Sequence, residues 1–253
     1  DVELEATPMT CIDDVWVRGD FDGRAAEVHV GIEGKREEVK VKGEGEQRNV
    51  SLCLRVTVEG ESVEQAIEQS NNPNNQTILR VPLRNFRPWS PEHPNLYTAT
   101  VELVENGQVV QARRERFGVR KLEVKGREFR LNGRPYYLRG FGDDHVYPLT
   151  GVSPADREAH RAHLRKARAA GFNFVRLHTH CEIPEYFEAA DECGILIQAE
   201  LPYYADQPCE SFSFDPVRDA RELWENFRRH PSFAVYSLGN EGTFGDRLDR
   251  YLH

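Results

Sequence analysis

FNFVRLHTHCEIPEYFEAADECGILIQAE, residues 172–200, decides the fold of this chain. Phe174 to Leu177 is a short, dense apolar run, and so is Ile195 to Glu200; runs of that kind suit strands buried on both faces. Between them Phe187 and Ala190 share one helical face, which stops at Gly194, a residue able to take the left-handed conformation that closes a helix. Strand, helix and strand in so short a span predict a parallel crossover unit.

The same pattern continues on both sides. Tyr136 to Phe141 predicts a strand before this unit, and Phe233 to Leu238 predicts one after it. Ser153 and Pro154 have the chemistry of an N-cap and a first helical position, with Gly171 as the stop. Asp215 and Pro216 repeat that entry signal ahead of an apolar stripe made by Val217, Ala220, Trp224 and Phe227. Four such repeats begin either an open parallel sheet or a (β/α)8 barrel. No GxGxxG or GxxxxGK follows the first strand, which favours the barrel. A whole barrel takes about 250 residues, so residues 122–253 supply about half of one. Half a barrel leaves two parallel edges open, and pairing of copies through those edges, as a homo-oligomer, is one way to cover them.

Upstream the periodicity changes. We count about seven short runs of period 2, among them Ala26, Val28, Val30, Ile32 and Val50, Leu52, Leu54, Val56, Val58, which suit a β-sandwich of immunoglobulin-like size. The Cys-Trp-Cys signature of antibody domains is missing. The expected fold is therefore multi-domain: an immunoglobulin-like β-sandwich over residues 1–121, then an incomplete (β/α)8 TIM barrel over 122–253. Ser70 to Gln76 is a loop by composition, and Pro88-Trp89-Ser90-Pro91 with Pro94 forms a rigid corner. Trp89 reads as a buried corner aromatic, with a sugar platform as the other role open to it.

Composition excludes several classes of function. Of 253 residues, 39% are hydrophobic and 30% charged, and no apolar stretch reaches 18 residues, so a membrane span is not expected. There are 33 Lys plus Arg against 42 Asp plus Glu, a net charge of -9 with no basic patch, which sets nucleic acid aside. Five Cys without a CxxC support neither a disulfide framework nor a zinc-thiolate site. The opening Asp1-Val2-Glu3 has no targeting signature, and the compartment stays open.

Polar residues follow every barrel-type strand. Asp143, Asp144 and His145 follow the first, Arg176, His178 and His180 come with the second, Glu200 ends the third, and Asn240 and Glu241 follow the fourth. In barrel enzymes the reacting groups sit at this carboxyl face, so four polar ends predict an active-site mouth.

The motifs resemble family 2 of the glycoside hydrolases, which holds β-galactosidases, β-glucuronidases and β-mannosidases. The matching segments are Phe129-Arg130-Leu131-Asn132-Gly133-Arg134-Pro135 with Leu138-Arg139-Gly140, then Asn173-Phe174-Val175-Arg176 through Asp191-Glu192-Cys193-Gly194, then Tyr236-Ser237-Leu238-Gly239-Asn240-Glu241. Trp89-Ser90-Pro91 to Asn95-Leu96-Tyr97 and Arg116-Phe117-Gly118 look like the end of that family's immunoglobulin-like domain. The resemblance implies a retaining exo-β-glycosidase, β-galactosidase-like, acting on a carbohydrate substrate. It implies that Glu241 is the general acid/base and that Asn240 binds the sugar 2-hydroxyl. Arg176 would orient a nucleophile expected beyond His253, while Asp144, His145, His178, His180 and Glu200 would complete the substrate-binding rim. The isolated chain is then expected to be inactive.

Some positions depart from the family pattern. Thr179 stands where the family has histidine, and Gly142-Asp143-Asp144-His145 replaces the usual Asn-Arg/Lys-His-Glu. Tyr204 and Asp206 fall at the family's magnesium-binding glutamate and histidine, so no metal or other cofactor is assigned. Two alternatives stay open. One is a metal-dependent hydrolase using His178 and His180 with His145, Glu200 or Asp144 as further ligands. The other is a non-catalytic carbohydrate-binding or interaction module.

Overall fold

A computed structural model of the chain describes residues 10–33, 52–67, 76–203 and 216–241. Most of the expected loop at Ser70 to Gln76, together with Tyr204, Asp206, Cys209 and Asp215, lies outside them. The chain divides into two compact units, residues 1–86 with 97–117, and residues 87–96 with 118–253. Among the described residues no helix is long and apolar enough to cross a membrane, and Cys11, Cys53, Cys181 and Cys193 are free thiols.

The first unit is built from β1 (Cys11–Asp20), β2 (Ala25–Glu33), β3 (Leu52–Val58), β4 (Glu61–Ala66), β5 (Gln76–Pro82), β6 (Tyr97–Glu105) and β7 (Gln108–Phe117). These form two antiparallel sheets, ordered β1-β2-β5 and β4-β3-β6-β7. The alternation expected of half-buried strands is present: Leu54, Val56 and Val58 are buried while Arg55 and Thr57 are partly open to water. Val28 and Val30 of β2 and Val101 and Leu103 of β6 are buried in the same way. Glu59-Gly60 and Asn106-Gly107 take positive φ at both positions, the conformation a two-residue hairpin turn requires, and each joins neighbouring strands.

The second unit opens with β8 (Leu122–Lys125), β9 (Glu128–Leu131) and β10 (Arg134–Pro135), an antiparallel group ordered β10-β9-β8. Then come β11 (Gly140–Asp143), α1 (Arg157–Ala169), β12 (Phe174–Leu177), α2 (Pro184–Cys193), β13 (Leu196–Glu200), α3 (Pro216–Phe227) and β14 (Phe233–Ser237). The four strands are parallel and ordered β11-β12-β13-β14, so each crossover lands beside its predecessor. Val175, Leu177, Ile197 and Ala199 from the sheet pack with Phe187 and Leu164 from the helices in one buried core.

Three expectations shift. The first parallel strand starts at Gly140 rather than Tyr136. Residues before it are held by the buried Asn173 side chain, which accepts from the Arg139 amide at 2.7 Å and donates to the Tyr137 carbonyl at 3.0 Å. Helix α1 is capped by Asp156, whose carboxylate accepts from the Glu158 amide, and not by Ser153. In α3 the buried positions are Leu223 and Phe227, spaced by four, whereas Trp224 is 53% exposed and packs its ring toward Phe233.

Trp89 is fully buried, as expected of a corner aromatic, and its indole N–H donates to the Asp191 carbonyl at 2.9 Å. The Asp191 carboxylate, buried at the end of α2, accepts from the Ser232 amide at 2.9 Å and faces His230 Nδ1 at 2.6 Å. Gly194 closes α2 at φ +71, and an added Cβ would stand 2.3 Å from the Pro91 carbonyl oxygen. The corner, the end of α2 and the entry to β14 are thus tied through one residue. Asp191→Ala is expected to destabilise this unit by about 3 kcal/mol, because two buried groups lose their acceptor at about 1–3 kcal/mol each. A urea titration followed by circular dichroism checks this, and Asp191→Asn, which keeps an acceptor oxygen, should recover part of the loss.

Candidate active site

The parallel sheet places the carboxyl ends of β11 to β14 side by side, and the polar residues read from the sequence gather there in two groups. The first surrounds Arg176, the third residue of β12. Its Nε donates to Glu200 Oε2 at 2.9 Å and its Nη2 to Glu200 Oε1 at 3.0 Å, a two-pronged pair with the last residue of β13. The same Nη2 donates to Asn240 Oδ1 at 2.7 Å, just past β14. The Glu200 side chain is fully buried, and it also accepts from Ser237 Oγ at 2.8 Å. Glu200 pushes the Arg176 guanidinium above its ordinary range, so the cation is permanent.

Asn240 is buried and its amide N–H donates to the Tyr203 carbonyl at 2.8 Å. With Oδ1 already accepting from Arg176, the side-chain amide offers its NH2 group as a donor. Glu241 follows at φ +54 and is exposed. A buried polar residue and an exposed acidic one thus follow each other in the chain past β14.

The second group lies on the loops after β11 and β12. Glu182, whose side chain is fully buried, accepts from Tyr147 Oη and Ser153 Oγ, each at 2.7 Å. Its Oε1 is 3.1 Å from His145 Nδ1 and 3.5 Å from His180 Nε2. Burial alone would raise the Glu182 carboxyl, but the contacts from His180, Ser153 and Tyr147 and the nearby His145 outweigh it and hold it far below the carboxylate range. Burial pulls His180 down, yet the facing Glu182 and the His178 carbonyl leave it above its ordinary value.

His178 does not join this group. Its Nδ1 lies 2.9 Å from Asp144 Oδ1, a mostly exposed carboxylate, and among the described residues the potential ligand trio is His145, His180 and Glu182. The ligand set expected for His178 and His180 together is therefore not assembled, because Asp144 takes His178 and Arg176 takes Glu200. Glu182, Tyr147 and the Ser153 hydroxyl were not anticipated as members of the rim. Glu182 sits two residues past His180 in a segment with no periodic signal, and only the loop geometry reveals that its carboxylate points inward.

Comparison with known proteins follows the same lines. Residues 10–120 match the family described as Glycosyl hydrolases family 2. A putative beta-glucuronidase of Formosa agariphila is 35% identical over 161 residues, covering 63% of this chain and 19% of that protein. A beta-galactosidase of Oenococcus oeni is 27% identical over 263 residues, covering 97% of this chain and 25% of that protein. The chain thus spans about a fifth to a quarter of the length of these curated relatives. Among solved structures, a glycosyl hydrolase family 2 member from Bacteroides cellulosilyticus superposes with a TM-score of 0.75 at 23% identity, over 94% of this chain and 32% of that one. A beta-glucuronidase from Ruminococcus gnavus, solved in complex with D-glucuronic acid, gives 0.72 at 24% identity, over 97% and 40%. These structural likenesses establish the fold.

Arg176→Ala is expected to destabilise the second unit by about 3 kcal/mol, the low end for breaking a buried ion pair, because the guanidinium is 37% exposed and water shares its charge. Adding Glu200→Gln to that variant should recover part of the loss, since a neutral amide needs no counter-ion. Chemical denaturation of the single and double variants provides the check.

Proposed function

We propose, for a chain related to glycosyl hydrolases family 2, that it carries the acid/base half of a retaining exo-β-glycosidase of the β-galactosidase type. In this proposal residues 1–121 are an immunoglobulin-like scaffold and residues 122–253 are the first half of a (β/α)8 barrel. The observation that carries it is the Arg176–Glu200–Asn240 brace across three adjacent strand ends, with Glu241 the next residue along the chain after Asn240.

The chemistry follows from what each group has left to offer. Glu241 is the general acid, giving its proton to the glycosidic oxygen as the bond to the anomeric carbon breaks, and then the general base that takes a proton from the incoming water. The Asn240 NH2 donates to the sugar 2-hydroxyl, a contact that tightens as positive charge develops on the ring. Arg176 is a positioning residue, since it fixes the Asn240 oxygen. A retaining mechanism needs a second carboxylate about 5–5.5 Å from the acid/base to attack the anomeric carbon. Glu200 is unsuited to that role, being buried with its oxygens occupied by Arg176 and Ser237. On the resemblance to family 2, the nucleophile is assigned to a later strand, beyond His253. The outer edges of β11 and β14, which pair with no other strand among the described residues, are the places where further β-α units, or a second copy, would pair.

Two outcomes test the proposal. Purified chain alone is expected to show no turnover of 4-nitrophenyl β-glycosides; turnover abolished by Glu241→Gln would contradict the split of the active site. In an enzyme extended by the later strands, Glu241→Gln should lower kcat/KM, which reads the first bond-breaking step, about 10²–10⁴-fold on alkyl β-glycosides. It should lower it far less on dinitrophenyl glycosides, whose leaving group needs no proton. Equal loss on both, or none, argues for a binding module.

A further inference from the structure

The Glu182 cluster contains a geometric conflict that hydrogen bonds from a neutral His180 do not resolve. His180 Nδ1 lies 3.2 Å from the His178 carbonyl oxygen, which can only accept, so that nitrogen carries the ring proton. In the neutral imidazole Nε2 then presents a lone pair. That Nε2 is buried without a hydrogen-bond partner and faces Glu182 Oε1 at 3.5 Å. Oε1 is itself an acceptor, with the Tyr147 hydroxyl already donating to it. Two facing bases in a buried place require a positive charge between them.

We propose that His145 Nδ1, His180 Nε2 and Glu182 Oε1 bind a divalent cation of the zinc class at the carboxyl-end rim of β11 and β12. The two separations to the carboxylate oxygen suit it. Nitrogen and oxygen ligands about 2.0–2.1 Å from a tetrahedral ion are about 3.3 Å from one another. The contacts to Glu182 Oε1 are 3.1 and 3.5 Å, and all three ligand atoms lie within 4.8 Å of each other. The supports typical of a metal site are also in place. His180 donates its other ring nitrogen to a backbone carbonyl, which sets the tautomer, while Tyr147 and Ser153 hold the carboxylate. Two imidazoles and one carboxylate select zinc-like ions over magnesium or calcium, which prefer oxygen. Three protein ligands leave a fourth position for water or for an oxygen of a bound molecule, reached from the side of the exposed His145. Asn240 and Glu241 take no part, so this site stands or falls separately from the glycosidase proposal.

The test is titration of the metal-stripped chain with Co²⁺, read by the visible absorption of a tetrahedral Co²⁺ centre, followed by displacement with Zn²⁺. One equivalent is expected to bind, with Zn²⁺ displacing it and millimolar Mg²⁺ not. His145→Ala, at an exposed position that tolerates truncation, and His180→Ala should each weaken binding by about 100-fold or more, while His163→Ala leaves it unchanged. Absence of the tetrahedral band in the unsubstituted chain would show that a proton supplies the charge and would overturn the site. So would a band that survives His145→Ala.

Discussion

A carboxylate removed from water must be neutralised where it stands, and Glu200 is the place where this requirement organises the molecule. Its side chain is fully buried at the end of β13, and the guanidinium of Arg176 lies along both of its oxygens from the neighbouring strand. Because the planar fork has donors to spare, the same Arg176 nitrogen reaches Asn240 beyond β14. Three strand ends are thereby held at fixed separation, and the exposed Glu241 takes its position from a neighbour that is not free to move.

The same rule applies twice more in the second unit. Asp191 is buried between His230 and the Ser232 amide, and its carbonyl accepts the indole of Trp89. The corner segment 87–96 belongs to the second unit for this reason: its aromatic anchor finds both its packing and its hydrogen bond there. Arg120 adds to the link, donating to the carbonyls of Pro231 and Phe233 at the start of β14. Glu182 is the third case, with a fully buried side chain faced by two imidazoles.

Much of the scaffold was legible beforehand because its signals are local. Alternation placed the buried face of β2 and β3, and dense apolar runs placed β12, β13 and β14 to within a residue or so. Gly194 ends α2 where helix exit chemistry requires it. Two of the departures share one cause. Tyr136 to Arg139 looked like a strand, but a single buried Asn173 side chain supplies the partners that a ladder would have supplied. Ser153 looked like a cap, but Glu182, 29 residues later, draws its hydroxyl away and leaves Asp156 to cap α1. Tertiary contacts of this kind override local preference.

The candidate site divides in the same way. Arg176, Glu200, Asn240 and Glu241 could be named from the sequence because each occupies the end of a strand whose position periodicity reveals, and parallel order then brings strand ends together. Which of them touch was decided by the folded structure: Arg176 pairs with Glu200 and Asn240, while His178 turns to Asp144 and leaves His180 to His145. Glu182 carried no local signal at all. The sequence by itself determined the alternating elements and which polar residues fall at the strand ends, since backbone periodicity and turn chemistry act over a few residues. The pairing of buried charges was left to the tertiary structure, because the partner of a desolvated carboxylate is chosen by distance in space and not along the chain.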